Sequence, residues 1–154
     1  MLQFGSGTGE GILWTTELNK ELPIFINEEN ARERDPYLKP ETIPQRLEIG
    51  AKESPEVIAY RVKRKGKYIS YNWKKTYEFC TLFAKALMQL KVPERSTIVL
   101  MGFNAPEWAF AFYGTMISNC VPTGIYTTNS SEACEYQVFH CEAKVLVVEN
   151  QEIL

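Results

Sequence analysis

The sequence has 154 residues, a formal net charge of −2 at pH 7, 45% hydrophobic residues and 23% charged residues. These values are typical of one soluble globular domain and exclude an intrinsically disordered chain. The slight negative charge gives no support to a nucleic-acid partner.

The lack of a recognisable secretory signal and the small number of cysteines favour a reduced, cytoplasmic location. The N-terminus shows no basic patch followed by an apolar run, so we expect no secretory signal. The longest nearly apolar run, residues 108–117, has about half of the roughly 20 residues that a membrane-spanning helix needs. Four cysteines are too few for a disulfide scaffold in a chain of this length.

The chain begins with an irregular leader, which we predict over residues 1–40, before a domain over residues 41–154. Thr42 is a good helix cap and Pro44 suits the first turn, which predicts a short helix to about Lys52. Its apolar face is formed by Ile43, Leu47 and Ala51.

A β-hairpin and a long helix follow. Residues 57–62 and 67–71 alternate apolar and polar side chains around a polar connection that ends in Gly66, which predicts a hairpin. A helix then starts near Asn72 and stops near Lys91, because Pro93 cannot continue it. Its apolar stripe consists of Trp73, Tyr77, Cys80, Ala84 and Leu87.

The remaining chain alternates strands and helices. Strands are predicted over residues 96–101, 120–126 and 145–149. One helix opens at Asn104-Ala105-Pro106, and another runs from a cap at Asn129, paired with Glu132, to about Glu142. The fold class is therefore α/β: a hairpin followed by a parallel βαβαβ unit, whose strands are apolar because helices cover both faces.

Two groups of residues suggest ligand sites at first sight, but their spacing in the sequence does not match that of known phosphate-binding loops or zinc sites. The glycines of residues 5–11 follow no strand and match neither phosphate-loop spacing, so they are interpreted as part of the leader. His140, Cys141 and Cys134 lack the second ligand pair of a zinc site and are interpreted as buried or partly buried helix residues. The residue chemistry thus identifies no catalytic, cofactor-binding or metal-binding residue.

Two further motifs have ordinary interpretations as well. Lys63, Arg64, Lys65 and Lys67 form one basic cluster, which fits either a solvated hairpin tip or a contact with anionic lipid headgroups. Asn129-Ser130-Ser131 matches a glycosylation sequon, which a cytoplasmic location makes a chance match.

Several segments resemble the adenylate-forming superfamily of acyl-CoA synthetases, luciferases and peptide-synthetase adenylation domains. Ile69-Ser70-Tyr71 is similar to its early L-T-Y-x-E-L element, and residues 102–108, GFNAPEW, are similar to its N-x-x-E-W helix opening. Residues 124–130, with Cys134, Tyr136 and His140 and then residues 146–150, narrow the resemblance to the bubblegum subgroup of long-chain fatty acyl-CoA synthetases. Leu13-Trp14-Thr15-Thr16 also resembles that subgroup's leader.

The resemblance implies a fatty acid–CoA ligase that uses ATP, Mg²⁺ and CoA, with peripheral membrane association at the cytosolic face of the endoplasmic reticulum. It also implies an incomplete N-terminal part of an adenylate-forming domain. The family's T-S-G-T-T-G, Y-G-x-T-E and T-G-D elements and its C-terminal lysine have no counterpart in the 154 residues. No catalytic residue is therefore carried over, and this chain alone is expected to be inactive.

Two alternatives stay open from the sequence. Beside the first interpretation, part of a fatty acid–CoA ligase from an incomplete gene model, they are a non-catalytic short isoform that acts by interaction and a small nucleotide-binding α/β module with its site at the carboxyl ends of the strands. Continuation of the reading frame into a T-S-G-T-T-G segment distinguishes an incomplete gene model from a short isoform.

Overall fold

The computed structural model describes residues 41–152. They form four helices and five strands in an α/β arrangement, as the sequence predicts. In chain order the elements are α1 (Ile43–Glu53), β1 (Ile58–Arg64), β2 (Lys67–Asn72), α2 (Trp73–Gln89), β3 (Thr97–Met101), α3 (Pro106–Ile117), β4 (Val121–Ile125), α4 (Ser131–His140) and β5 (Val145–Val148). The predicted leader, residues 1–40, lies outside the described residues.

The helix starts follow the local capping chemistry. Thr42 Oγ1 accepts a hydrogen bond from Gln45 N while Gln45 Oε1 accepts one from Thr42 N, so α1 begins with a complete capping box. Asn72 caps α2 through its side chain, and Pro106 is the first residue of α3. The predicted cap of α4 at Asn129 is wrong, because Ser130 accepts from Ala133 N in its place.

The hairpin turn is tighter than the sequence predicts. Lys65 and Gly66 alone form the loop, both with positive φ (48° and 79°), as a type I′ turn requires, so Lys63 and Arg64 belong to the strand. Residues that pair across the hairpin share one face, and Tyr60 with Tyr71 packs inward on Phe110 of α3. The outward-facing pairs are Arg61 with Ser70 and Lys63 with Tyr68.

A three-stranded parallel sheet in the order β4-β3-β5 forms the second half of the described chain. The central strand is buried on both faces, which explains its uninterrupted apolar sequence. Ile98 and Leu100 pack with α2 and α3, whereas Val99 and Met101 pack with Cys134 and Val138 of α4. Since α3 and α4 lie on opposite faces, the strand connections also leave in opposite directions.

Helices α2 and α3 touch at Gly114. A Cβ atom built at this glycine would lie 2.6 Å from the Cys80 carbonyl oxygen and 2.8 Å from Phe83 Cβ. Only a glycine permits this backbone approach, which brings Phe110 of α3 into stacking contact with Phe79 of α2 at 5.1 Å. The predicted stripe of α2 is confirmed, because Cys80, Ala84 and Leu87 are buried.

We expect Gly114→Ala to destabilise the fold, because the new methyl group collides with helix backbone that no rotamer change can move. The loss should be about 1–3 kcal/mol, the usual range for an overpacked core. Urea unfolding followed by circular dichroism measures it. Gly50→Ala in α1 is the matched control: its Cβ would meet only Trp73, at 3.9 Å. It should leave stability equal or slightly higher, and equal losses in both variants would contradict the interpretation.

The buried thiol of Cys80 gives a second prediction. Burial raises the pKa of Cys80 to about 12, so at about pH 8 roughly one thiol in ten thousand is the reactive thiolate. In the folded chain N-ethylmaleimide should modify the half-buried Cys134 and Cys141 and spare Cys80, whereas in urea Cys80 should react too. Peptide mass mapping reads out each site, and equal labelling of Cys80 and Cys141 before unfolding would count against this packing.

Candidate functional site

The carboxyl edge of the parallel sheet contains a crevice between β3 and β4. These neighbouring strands connect to α3 and α4 on opposite faces, so the segments that follow them separate at this point. Open α/β sheets bind their ligands at such switch points. The crevice measures about 490 Å³ and is lined by residues 102–104, Trp108 and residues 124–127.

Gly124 and Trp108 shape this crevice. A Cβ atom at Gly124 would lie 3.5 Å from Trp108 Cζ2, so a larger side chain there would project against the indole. The indole itself is fixed by stacking on Phe112, with ring centroids 5.2 Å apart and planes 15° from parallel. Phe103 and Tyr126 are largely exposed, at 66% and 80%, and add aromatic surface to the same region.

A second cleft of about 470 Å³ lies on the α3 side of the same edge. Glu149, the residue after β5, extends across it, and its Oε2 atom accepts a hydrogen bond of 2.9 Å from Phe103 N. The bond holds the β3–α3 loop against the end of β5. Gly102 permits this, because a Cβ atom there would lie only 3.2 Å from Glu149 Cβ.

The wall of this cleft includes an ion pair between the hairpin and α3. Arg64 Nη2 donates to Glu107 Oε2 at 2.6 Å, and both side chains are about half exposed. A pair this exposed is worth roughly 0.2–1 kcal/mol, so its main effect is to fix the position of the hairpin end beside the cleft.

The negative charge of the second cleft disfavours the binding of a nucleoside triphosphate. Among the residues lining it, Arg64 is the single cation, and its guanidinium already pairs with Glu107. Glu149 adds a second carboxylate, which leaves the lining with a formal charge of −1. Phosphate oxygens need donors and cations in excess, so the described residues do not fit ATP with Mg²⁺ by themselves.

The sequence-derived candidates do not assemble into a site. The glycines of residues 5–11 lie outside the described residues. Cys134 in α4 and Cys141, the residue that ends it, are half-buried as expected, but His140 is exposed and stacks on Tyr136, so its predicted burial is wrong. Within residues 41–152, no group of three or more His, Cys, Asp or Glu side chains is placed to hold a metal ion.

The segments that carry the family resemblance do converge. Residues 102–104 with Trp108 and residues 124–127, which belong to two of these segments, line the switch-point crevice, and Glu149 of the third segment lines the second cleft. Sequence reasoning did not single out Glu149, Gly124 or Trp108 as individual residues. Their common signal is position, since each lies in or beside a segment at the carboxyl end of a parallel strand.

The sequence profile of the AMP-binding enzyme family matches residues 47–154. The chain is 31% identical to the long-chain-fatty-acid–CoA ligase ACSBG2 of Gallus gallus over 138 residues, which cover 90% of this chain and 18% of that protein. It is also 31% identical to ACSBG1 of Homo sapiens over 145 residues, covering 94% and 19%. The chain thus spans about a fifth of the length of these relatives.

Solved structures match at the level of the fold. The N-terminal domain of FACL13 from Mycobacterium tuberculosis, in an inhibitor-bound crystal structure, has a TM-score of 0.66 at 20% identity and covers 71% of this chain and 27% of that one. The fatty acid AMP ligase of Legionella pneumophila gives a TM-score of 0.67 at 14% identity, covering 74% and 20%. At these identities the likeness is evidence for the fold alone.

We expect Glu149→Ala to loosen the β3–α3 loop, because the Phe103 amide loses its acceptor. A hydrogen bond of this kind contributes about 1 kcal/mol net, so exchange of the Phe103 amide proton should accelerate roughly fivefold. Amide exchange measured by NMR tests this. Glu135→Ala, which removes an equal charge from an exposed position of α4, should leave that amide unchanged. Unaltered Phe103 exchange in the Glu149 variant would show that the contact does not hold the loop.

Proposed function

We propose a function from one premise: the chain belongs to the AMP-binding enzyme family, whose profile covers residues 47–154. Within that family we infer that the whole protein is a long-chain or very-long-chain fatty acid–CoA ligase. The observation that supports this most is the identity of about 31% to ligases of that name across more than nine-tenths of this chain. A match of that extent includes the hairpin, the helix pair and the switch-point crevice together.

The proposed reaction has two steps. The fatty acid carboxylate attacks the α-phosphorus of ATP, forming the acyl adenylate and releasing pyrophosphate. The thiolate of CoA then attacks the acyl carbonyl carbon, forming the thioester and releasing AMP. Both steps place negative charge on phosphate oxygens or on a tetrahedral oxyanion, which requires preorganised donors and a metal ion.

The described residues contribute the frame of this site rather than its phosphate-binding groups. Their carboxyl-edge cleft has a formal charge of −1, and both of its carboxylates already accept hydrogen bonds from Arg64 and the Phe103 amide. We therefore assign the phosphate chemistry to groups outside these residues. A cytoplasmic location completes the proposal, supported by four cysteines that are all unpaired thiols.

The chain of 154 residues alone should form no measurable acyl-CoA. Removing one preorganised oxyanion donor typically costs about 10²–10³ in rate, and the family's Ser/Thr/Gly-rich loop would supply several donors at once. Purified chain is incubated with palmitate, ATP, Mg²⁺ and CoA, and thioester and AMP are quantified by mass spectrometry. Palmitoyl-CoA formation above the heat-denatured control would contradict this expectation.

The function itself is tested on the native polypeptide. An antibody against residues 72–91 isolates it from its source cells for mass determination and for the same assay. The proposal expects a product several times heavier than 17.7 kDa that releases AMP and forms acyl-CoA from long-chain acids. A stable product of 17.7 kDa without ligase activity would overturn the proposal and favour a non-catalytic isoform.

A further inference from the structure

The β1–β2 hairpin presents a basic surface that the proposed reaction does not use. Three cations lie within five residues of sequence: Arg61, Lys63 and Lys65. All three side chains are exposed, and none of them belongs to an ion pair formed among residues 41–152. The other two basic residues of the hairpin, Arg64 and Lys67, are paired strand residues on the opposite face, where Arg64 binds Glu107.

Strand register places most of this charge on one side. Arg61 pairs with Ser70 and Lys63 with Tyr68, so these four residues form the outer face of the hairpin. Arg61 Nε donates to Ser70 Oγ at 3.3 Å, and Lys63 Nζ lies 5.8 Å from the Tyr68 ring centroid. Both cations are thereby aligned outward by contacts within the face itself.

The tip of the hairpin adds a cation, Lys65, in a backbone conformation that is unfavourable for lysine. Lys65 adopts a φ of 48° in a type I′ turn, a position at which asparagine or glycine is strongly preferred. The loop therefore presents a cation where a neutral residue would be more stable. Lys67 pairs with Arg64 and lies on the opposite face. The tip and the outer face form one basic surface, which we call the basic hairpin face: Arg61, Lys63, Lys65, Tyr68 and Ser70.

An exposed aromatic residue, Tyr68, lies among these cations. Tyr68 is 68% exposed although its ring is apolar. Tyrosine is enriched at membrane–water interfaces, where its ring meets the acyl boundary and its hydroxyl stays hydrated. Lysine and arginine beside it would meet the phosphate groups of anionic lipids.

We propose that the basic hairpin face binds the surface of an anionic lipid bilayer. Charge complementarity selects this partner, and the exposed tyrosine favours an interface with an apolar interior over a purely polar polyanion. The hairpin is held firmly behind the face, because Tyr60 and Tyr71 pack on Phe110 at 6.1 and 5.3 Å. No helix within residues 41–152 is long and apolar enough to cross a bilayer.

This placement would bring the carboxyl-edge cleft close to the bilayer. Arg64, at the end of β1, lines that cleft through its pair with Glu107, so the lipid-binding face and the cleft lie on opposite sides of one short strand. Long-chain fatty acids partition into bilayers, which makes this position useful to a ligase. That advantage rests on the proposed function, whereas lipid binding itself does not.

Vesicle flotation tests the proposal with the full 154-residue chain. Phosphatidylcholine vesicles with and without phosphatidylserine are floated through a density gradient, so that aggregated protein sinks and bound protein rises. We expect flotation only with phosphatidylserine. Raising the salt from about 0.1 M to about 1 M should abolish it, because the Debye length falls from about 10 Å to about 3 Å.

The triple variant Arg61→Thr, Lys63→Thr, Lys65→Asn should bind these vesicles roughly 100-fold more weakly, at about fivefold for each cation removed. Threonine suits strands and asparagine suits the turn, so the hairpin is retained, which circular dichroism verifies. The control Lys74→Gln, Lys85→Gln, Lys144→Gln removes the same charge from exposed positions outside the hairpin and should bind like the parent.

Three outcomes overturn the proposal: no flotation of the parent chain, flotation that ignores phosphatidylserine, or an equal loss in the control variant. The last would mean that net charge rather than the basic hairpin face determines binding. The assay contains no ATP, CoA or fatty acid. Its result is therefore independent of ligase activity, and the failure of one proposal leaves the other standing.

Discussion

The close contact between α2 and α3 at Gly114 is the constraint on which the described fold depends. It lets Phe110 reach Phe79 of α2 together with Tyr60 and Tyr71 of the hairpin, so one aromatic ring joins three elements. The opposite side of α3 packs through Ala111 on Ile98 and Leu100 of the central strand. The hairpin and the sheet both contact α3. The position of α3 relative to α2 depends on Gly114, because only a residue without a side chain permits this close contact.

From this arrangement the carboxyl edge of the sheet gains its two clefts. Because α3 and α4 cover opposite faces, the segments after β3 and β4 separate. Trp108, near the start of α3, lines the crevice between these segments. The hairpin end reaches the same edge through Arg64, and Glu149 joins the end of β5 to the β3–α3 loop. Residues that are distant in sequence thus form one edge of a site whose phosphate-binding groups we assign elsewhere.

Where the sequence predictions failed, the cause lay in interactions between elements or in competition between adjacent caps. Asn129 and Ser130 are both good cap residues, and only the backbone path into α4 selects Ser130. His140 lies at the end of a helix of which no residue is fully buried, so no periodicity could assign its exposure. Ile43 fits the apolar face of α1 by spacing, yet it is 54% exposed because only Leu47 reaches the packed surface.

By itself the sequence determined the order and type of the elements, most of their boundaries, the buried stripe of α2 and the family, because caps, prolines and apolar periods are local signals. Only the tertiary structure decided the strand order β4-β3-β5, which side chains of β3 face α3 and which face α4, and the contact of Glu149 with Phe103. It also decided which hairpin cations face outward, since register and a two-residue turn assign each side chain to a face. These outcomes depend on packing between distant segments, which no local pattern encodes.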